Sequence, residues 1–491
     1  MRTDPKIWAF LYVLAVTGGL FYFFRGWSYD DPYITYRYAA NLADGFGFVY
    51  NPGERVLSTT SPLLALALAG LHRLGADIPA TANLLGTFSL AVGGLLQWEI
   101  ARRLELPAAG WAGLLLYPTT PLLVSTLGSE TPIYLALCLG AVSLYLQKKY
   151  AAAGVFLSLA VLSRADALVL GALLAADWLI RAFRTTRSPA AVIRSVPLKT
   201  LIAPVAVLLP WVLFGWLYFG SPLPATLAAK RAQGLLNPAD RFLPGLWDLA
   251  GRLAEFPHYW IYFVLIPAGF LVAIKRPAWY PLLLWPVCFA AGYTLLSVNR
   301  YPWYYASLFP GALAGAGLAL GAWFHGPAGG APARTGLFAE SVRRLRTAGP
   351  VLLLLLLFAG QLTDLKRLHA GFDTRFAIYR EIGLWLVENT PPDASIGTLE
   401  VGIIGFFARP RPMVDFTGLI QPDVATQFRP GYAYTDAAAW AAERYQPDVL
   451  VLAGGFGELR QTYMRDRCRS AAEFAGADFG YDRDIVIYVC G

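Results

Sequence analysis

Long apolar stretches, separated by short polar segments, run through the first three quarters of the chain. The first covers residues 7–24, and the polar sequence RGWSYDDPY follows it directly. A helix needs about 20 apolar residues to cross a bilayer. The pattern therefore predicts eleven membrane-spanning helices, at residues 6–24, 81–101, 107–125, 131–146, 150–163, 166–183, 200–219, 258–274, 278–296, 302–324 and 348–363. No small-residue cleavage site follows the first stretch, so we expect a retained helix rather than a signal peptide.

Basic residues mark every second loop between these stretches, for example at 102–103, 148–149 and 275–276. Because cytoplasmic loops are enriched in Lys and Arg, this order predicts a cytoplasmic N-terminus. Eleven spans then put the C-terminus outside. The apolar segment from Ser61 to Leu74 carries His72 and Arg73, and counting it as a span would move the basic loops outside. We interpret it as an interfacial or re-entrant helix on the outer face.

The composition changes near Asp364. The sequence FDTRFAIYREIGLWLVENTPPDASIGTLE predicts a helix, a Pro-Pro stop and a strand, DAAAWAAERYQPDVLVLAGG predicts helix, turn and strand, and DIVIYVC predicts a final strand. We therefore expect a membrane module at residues 1–363, with an outer loop at 25–80, and an extracytoplasmic α/β domain at 364–491. An outside location makes a disulfide between Cys468 and Cys490 plausible.

The composition agrees with a polytopic membrane protein. Of the 491 residues, 56% are hydrophobic and 15% are charged, whereas about a quarter of the residues are charged in an average soluble domain. The net charge of +8 could indicate nucleic-acid binding. We assign it instead to the basic inner loops, and we expect a lipid bilayer and no nucleic acid as a partner.

Two adjacent carboxylates, Asp30 and Asp31, follow the first apolar stretch. Asp31 could cap a helix in which Pro32 is the first residue, and this would leave Asp30 as the freer side chain. The functional alternative makes one aspartate a general base that takes a proton from an acceptor hydroxyl. Its neighbour would then orient the acceptor or hold a divalent cation, for which Mg²⁺ or Mn²⁺ is suitable, although a general base needs no metal.

Further polar groups also fall on the predicted outer face. Glu130 is a cap or a site carboxylate, Arg164 and Asp166 pair with one another or bind a ligand, and Lys230 is a solvated helix end or a phosphate contact. Three outer cations near one membrane boundary, Arg164, Lys230 and Arg300, indicate an anionic lipid headgroup as the ligand. The candidate donor or phosphate residues are Glu130, Arg164, Asp166, Lys230, Arg300 and Tyr301. The candidate acceptor or loop residues are Tyr33, Glu54 and His258, the last being more often structural.

The segment SYDDPYITYRYAANLADGFGFVYNPGERVLSTTSPL resembles the first outer loop of the GT-C superfamily of membrane glycosyltransferases. It is most similar to the bacterial branch that includes the arabinofuranosyltransferases. LGSETPIYLAL, LAVLSRADALVL, PLPATLAAKR, NRYPWYYASLFPGAL and IGTLEVGIIGFFARPRPMVDFTGLIQPDV follow in the order expected for this branch. The resemblance implies about a dozen membrane helices with an outer domain. It also implies a sugar donor carried on polyprenyl phosphate and a catalytic base at Asp30 or Asp31.

These observations predict an inverting glycosyltransferase of the outer face of a bacterial cytoplasmic membrane. It would move a sugar of the arabinofuranosyl or mannosyl type from a polyprenyl phosphate to a hydroxyl of a glycan or lipid-linked acceptor. One alternative is a transporter or flippase of a lipid-linked glycan, although the charges lie at one boundary and no internal repeat is visible. A second alternative is an inactive scaffold with a sugar-binding outer domain.

Overall fold

The computed structural model describes residues 5–188, 198–325, 337–371 and 373–491. Most of these residues are helical. In chain order the helices are α1 (Pro5–Phe24), α2 (Asp30–Ala43), α3 (Pro62–Arg73), α4 (Ile78–Arg103), α5 (Pro107–Leu116), α6 (Pro121–Val124), α7 (Thr131–Leu146), α8 (Tyr150–Ser163), α9 (Ala167–Thr186), α10 (Leu198–Phe219), α11 (Thr226–Leu236), α12 (Phe242–Ala254), α13 (Pro257–Ala273), α14 (Tyr280–Leu296), α15 (Pro302–Ala306), α16 (Phe309–His325), α17 (Leu337–Ala370), α18 (Arg375–Asn389), α19 (Ile403–Phe407), α20 (Pro422–Ala425), α21 (Tyr434–Tyr445) and α22 (Gly457–Gln461).

The apolar helices make the chain a multi-pass membrane protein. Within the described ranges, six helical stretches are long and apolar enough to cross a membrane. They correspond to α1, α4, α10, α14, α15 with α16, and a stretch at 346–389 that covers most of α17 and all of α18. Four further predicted spans correspond to the shorter apolar helices α5, α7, α8 and α13, and a fifth to α9, which carries Asp177, Arg181 and Arg184. The count of eleven spans therefore stays a prediction.

Polar side chains and prolines interrupt two of the predicted spans. The span at 107–125 stops at Leu116 and resumes at Pro121, and the hydroxyl of Thr120 donates to the Leu116 carbonyl at 2.6 Å. The span at 302–324 is divided between α15 and α16. Helix α3 lies in the segment interpreted as interfacial, and its 12 residues extend only about 18 Å, which is less than the ~30 Å of a hydrocarbon core.

The C-terminal region forms a five-stranded sheet in the order β2-β1-β3-β5-β4. The strands are β1 (Ile396–Thr398), β2 (Met413–Asp415), β3 (Val449–Leu452), β4 (Cys468–Phe474) and β5 (Ile485–Cys490). Strand β1 pairs in parallel with β2 and β3, whereas β5 pairs antiparallel with β3 and β4. The predicted helices and strands of this region are confirmed. The expected disulfide is also present, and it joins Cys468 to Cys490 across the β4–β5 pair.

One hydrophobic core contains both α2–α4 and the C-terminal sheet. The buried Arg37 guanidinium of α2 lies at the junction. Its Nη1 donates to the carbonyl of Gly405 at 2.5 Å and its Nη2 to that of Arg411 at 2.6 Å. Asn51 Nδ2 likewise donates to the Met413 carbonyl at 2.9 Å. These bonds fix the segment that carries both aspartates against the C-terminal region.

Candidate active site

A cavity of about 510 Å³ lies where α2 and α11 meet the membrane helices. Its lining combines charged and hydroxyl-bearing side chains with apolar side chains of α8, α9, α10 and α14. The charged and hydroxyl-bearing lining residues are Tyr29, Asp31, Thr35, Ser58, Thr59, Thr60, Ser129, Glu130, Arg164, Asp166, Thr226, Lys230, Tyr293 and Tyr304. The apolar wall includes Val161, Leu162, Leu168, Val169, Leu208, Trp211, Val212 and Leu296. The cavity therefore suits a ligand with a charged head and an apolar tail.

Asp31 and Lys230 face one another in this cavity. The Lys230 ammonium lies 3.7 Å from Asp31 Oδ2, and the Asp31 side chain is 35% exposed. At that separation the two groups attract electrostatically but do not form a short hydrogen bond. Burial disfavours the charge on Lys230, but nearby Tyr304, Asp31 and Glu130 outweigh it and raise the pKa of the ammonium. Lys230 is therefore a charged donor in the lining of the cavity.

Asp30 is held by the C-terminal region. The interpretation of Asp31 as the N-cap of helix α2 was wrong. Helix α2 begins at Asp30, its N-cap is Tyr29, and Pro32 is the third helical residue. The amides of Gly402 and Ile403 donate to the two Asp30 carboxylate oxygens at 3.0 and 2.7 Å. Burial and the neighbouring Glu400 nevertheless raise the pKa of Asp30. The freer aspartate is Asp31, because both Asp30 oxygens accept backbone hydrogen bonds.

Arg164 is the centre of a buried polar network. Its Nη2 lies 2.6 Å from Asp166 Oδ2 and its Nη1 lies 3.3 Å from Glu130 Oε1, and its side chain is 6% exposed. The Tyr293 hydroxyl donates to the same Asp166 oxygen at 2.6 Å. Since two carboxylates already share the guanidinium, Arg164 orders this wall of the cavity, and Lys230 is the less committed cation.

Stacked aromatic rings cover Lys230. Tyr29 stacks on Trp303 and Trp303 on Tyr301, with ring centroids 5.8 and 4.7 Å apart. The Lys230 ammonium lies 4.6 Å from the Tyr301 ring centroid and 5.7 Å from that of Tyr304. Ring faces attract a cation, so this group holds the ammonium in place while leaving its N–H groups available.

Several predicted residues lie outside the cavity lining. Arg300 pairs instead with Asp240 and Asp248, at 3.2 and 3.0 Å, on a partly exposed surface. His258 Nε2 lies 2.8 Å from Asp364 Oδ2, between α13 and α17. The remaining three have structural contacts: Tyr33 accepts from the Ser28 hydroxyl, Glu54 accepts from Asn51, and Tyr301 donates to Gln233. Among these, Tyr301 alone contacts a lining cation.

Some lining residues carry little signal in the sequence. Tyr293 is an aromatic residue inside an apolar stretch, where aromatic residues are common. Trp303 and Tyr304 follow the Arg300-Tyr301 pair after one proline, so the motif NRYPWYY contained them. Ser58 and Thr226 lie in the motifs STTSP and PLPATLAAK, but hydroxyl residues in loops usually indicate turns. Only the folded chain reveals that both line the same cavity.

The described residues include no group of three or more His, Cys, Asp and Glu side chains suited to a metal ion. Of the two adjacent aspartates, Asp30 already accepts hydrogen bonds from the amides of Gly402 and Ile403 with both carboxylate oxygens. A bound divalent cation would need further oxygen ligands from its substrate.

Comparison with known proteins identifies the fold. A domain of unknown function, DUF8728, matches residues 369–488, and no curated protein matches the sequence. ArnT from Cupriavidus metallidurans, solved bound to undecaprenyl phosphate, is similar over 99% of this chain and 98% of its own, with 13% identity and a TM-score of 0.63.

Two archaeal structures have the same architecture. The oligosaccharyltransferase from Archaeoglobus fulgidus in its apo form is 13% identical and has a TM-score of 0.58, over 91% of this chain and 70% of its own. AglB from the same organism, solved with an inhibitory peptide and a dolichol-phosphate, is 14% identical and has a TM-score of 0.52, over 91% and 69%. The GT-C fold predicted from the sequence motifs is confirmed.

Proposed function

We propose that the protein is an inverting glycosyltransferase that uses a sugar donor carried on a polyprenyl phosphate. The observation that carries this proposal is that Asp31 and Lys230 line one cavity together with many apolar side chains. A lipid phosphate has matching parts, an anionic head and a hydrocarbon tail. ArnT and AglB have the same fold and were solved with undecaprenyl phosphate and dolichol-phosphate, respectively, which supports this substrate class.

In this mechanism Lys230 binds the donor phosphate and Asp31 is the general base. Asp31 takes the proton of the acceptor hydroxyl, and the oxygen attacks the anomeric carbon. The bond from that carbon to the phosphate oxygen breaks, and its electron pair leaves with the polyprenyl phosphate. Lys230 stabilises the charge that develops on the phosphate. The product has inverted configuration, because attack and departure occur on opposite faces.

The 3.7 Å separation of Asp31 and Lys230 links donor binding to base activation. During inversion the base and the leaving phosphate lie on opposite sides of the sugar, so one ammonium does not remain close to both. A phosphate on Lys230 therefore replaces Asp31 as the partner of the ammonium. The carboxylate of Asp31 then becomes available to the acceptor hydroxyl, and transfer follows donor binding.

We further propose that residues 364–491 form an extracytoplasmic domain and that the cavity opens on the outer face of a bacterial cytoplasmic membrane. The basic loops predicted to be cytoplasmic support this orientation. The Cys468–Cys490 disulfide also supports it, because disulfides persist in oxidising compartments. The sugar is proposed to be of the arabinofuranosyl or mannosyl type, and the acceptor to be a glycan or a lipid-linked glycan. Where the reaction uses Mg²⁺ or Mn²⁺, the Asp31 carboxylate would hold the cation, which would supply further positive charge in the cavity.

The test is turnover by the purified full chain in proteoliposomes. Polyprenyl lipids that copurify are identified by mass spectrometry and supplied with membrane extract as the acceptor source, with and without EDTA. We expect release of free polyprenyl phosphate and transfer of its sugar to an acceptor, and loss of both in the Asp31→Asn variant. Movement of an intact lipid-linked sugar between leaflets without release of its phosphate would contradict the proposal and favour a flippase.

A further inference from the structure

Helix α11, which carries Lys230, is fastened to the C-terminal region near its end. The Gln233 side chain is 3% exposed, and its Nε2 donates to the carbonyl of Thr417 at 3.1 Å. About one turn later, the carbonyl of Leu236 accepts from the amide of Gly431 at 3.1 Å. The C-terminal region therefore holds α11 at two places.

The loop that receives Gln233 is itself ordered by the buried carboxylate of Asp415. The Asp415 Oδ1 accepts from the amide of Thr417 at 2.7 Å, and its Oδ2 accepts from the amides of Leu419 and Ile420 at 2.6 and 3.0 Å. Leu419 lines the cavity. This loop is thus both a fixed acceptor for Gln233 and a part of the cavity wall.

The other half of the Gln233 amide faces Tyr301. The Tyr301 hydroxyl donates to Gln233 Oε1 at 2.8 Å, and the centroid of the Tyr301 ring lies 4.6 Å from the Lys230 ammonium. A carbonyl oxygen only accepts hydrogen bonds, so the Thr417 carbonyl orients the amide with its NH₂ group toward the loop and its oxygen toward Tyr301. The contacts run without a break from Thr417 through Gln233 and Tyr301 to Lys230.

We propose that Gln233 is a positioning residue for Lys230. It ties the Tyr301 ring to the C-terminal region, and the ring in turn holds the ammonium where it meets the donor phosphate. This inference rests on the proposed function. Gln233 lies three residues from Lys230, on the same side of α11, but it does not line the cavity. Its effect therefore reaches a ligand only through Tyr301 and Lys230.

The test compares two ligands that differ only in the phosphate. The probes are farnesyl phosphate and farnesol, and their affinities for the full chain are measured by native mass spectrometry. We call the ratio of the two affinities the phosphate preference, and we expect wild type to favour farnesyl phosphate. Gln233→Met keeps the length of the side chain but cannot donate a hydrogen bond. It is expected to lower the phosphate preference about fivefold, as for one lost neutral hydrogen bond, and to bind farnesol within about twofold of wild type.

Double variants establish the route of this effect. Tyr301→Phe removes the hydroxyl but keeps the ring, and it should reproduce the loss. Gln233→Met/Tyr301→Phe should then lose little more than either single variant, because residues that act through one contact are not additive. In a Lys230→Met background, Gln233→Met should change the phosphate preference by less than about twofold. Additive losses in these combinations would overturn the inference.

Gln361→Met is the matched control. Gln361 is 1% exposed, and its Nε2 donates to the Tyr262 hydroxyl at 2.9 Å, but Gln361 does not line the cavity. This variant also loses a buried hydrogen bond between Gln and Tyr, so it should lower the melting temperature and keep the phosphate preference of wild type.

The inference fails if Gln233→Met keeps the phosphate preference of wild type, if it weakens farnesol as much as farnesyl phosphate, or if Gln361→Met reproduces its effect. If wild type has no phosphate preference, or if Lys230→Met retains it, the proposed function falls as well.

Discussion

The ammonium of Lys230 lies 3.7 Å from a carboxylate oxygen of Asp31, and both groups line one cavity. If Asp31 is the base, Asp31→Asn removes proton transfer without removing volume. We expect turnover to fall by about 10²–10⁴, and the affinity for farnesyl phosphate to stay the same or increase, because Lys230 loses a competing anion. Initial rates of polyprenyl phosphate release and binding by native mass spectrometry provide the two measurements.

Asp30→Asn is the comparison for this variant. It weakens the hydrogen bonds from Gly402 and Ile403, so we expect a lower melting temperature together with partial activity. The base assignment would be reversed if Asp30→Asn lost turnover at unchanged stability while Asp31→Asn kept it.

Lys230→Met tests the phosphate contact. A charge-assisted hydrogen bond contributes about 1.5–3 kcal/mol, so the affinity for farnesyl phosphate should weaken by about 10–100-fold, and its dependence on salt should decrease. Lys230→Arg should retain part of the affinity. Arg231→Met removes an exposed neighbouring charge and should change little. Equal losses in both Met variants would show that general surface charge, and not Lys230, attracts the lipid.

Arg164 and Arg300 provide a contrast between buried and exposed ion pairs. Arg164→Gln leaves Glu130 and Asp166 without their buried cation, and we expect a loss of about 3–5 kcal/mol of unfolding free energy. Arg300→Gln breaks pairs with half-exposed Asp240 and Asp248, which are worth about 0–1 kcal/mol. Thermal unfolding in detergent compares the two, and a larger loss for Arg300→Gln would be contrary to this account.

Gly402 allows the C-terminal region to approach Asp30 closely. A methyl group at residue 402 would collide with the Asp30 carbonyl and lie 2.5 Å from its Oδ2. Gly402→Ala should therefore lower the melting temperature and reduce turnover, because overpacking costs about 1–3 kcal/mol and displaces the start of α2. Gly454→Ala has open space around its added methyl and should behave as wild type. Unchanged stability of Gly402→Ala would mean that the backbone at residue 402 or at Asp30 shifts to accommodate the methyl group at little cost in free energy.

Glu400 introduces a pH dependence of stability. Burial raises the pKa of Glu400 above its usual value near 4.5, against the opposing influence of Arg375 and Tyr379. A carboxyl group with a higher pKa in the folded protein binds its proton more tightly when folded, so its stabilising contribution is present at low pH and is lost as the pH rises through the folded pKa. The Tm of Glu400→Gln minus that of wild type should therefore increase from pH 4 to pH 8. Glu388→Gln, at an exposed position, should show no such trend.

The sequence contained enough to identify the fold but not the arrangement of the site. The apolar stretches predicted membrane helices from local composition, and the motifs around Asp31, Glu130, Arg164 and Lys230 predicted the GT-C fold through their resemblance to a known superfamily. The roles of the two aspartates could not be inferred, because the difference between them arises from backbone amides 372 and 373 residues away. Arg300 was grouped with the other cations for the same reason: its partners Asp240 and Asp248 are near only in the folded chain.

The guanidinium of Arg37 is fully buried, and two of the carbonyls that it binds come late in the chain. Gly405 follows it by 368 residues. At about 5–20 residues per second during synthesis, Arg37 leaves the ribosome about 20–70 s before this partner exists. The segment with Asp31 therefore cannot reach its final geometry before residues 405 and 411 have been synthesised. A prematurely terminated chain, although already inserted in the membrane, would lack an organised catalytic cavity.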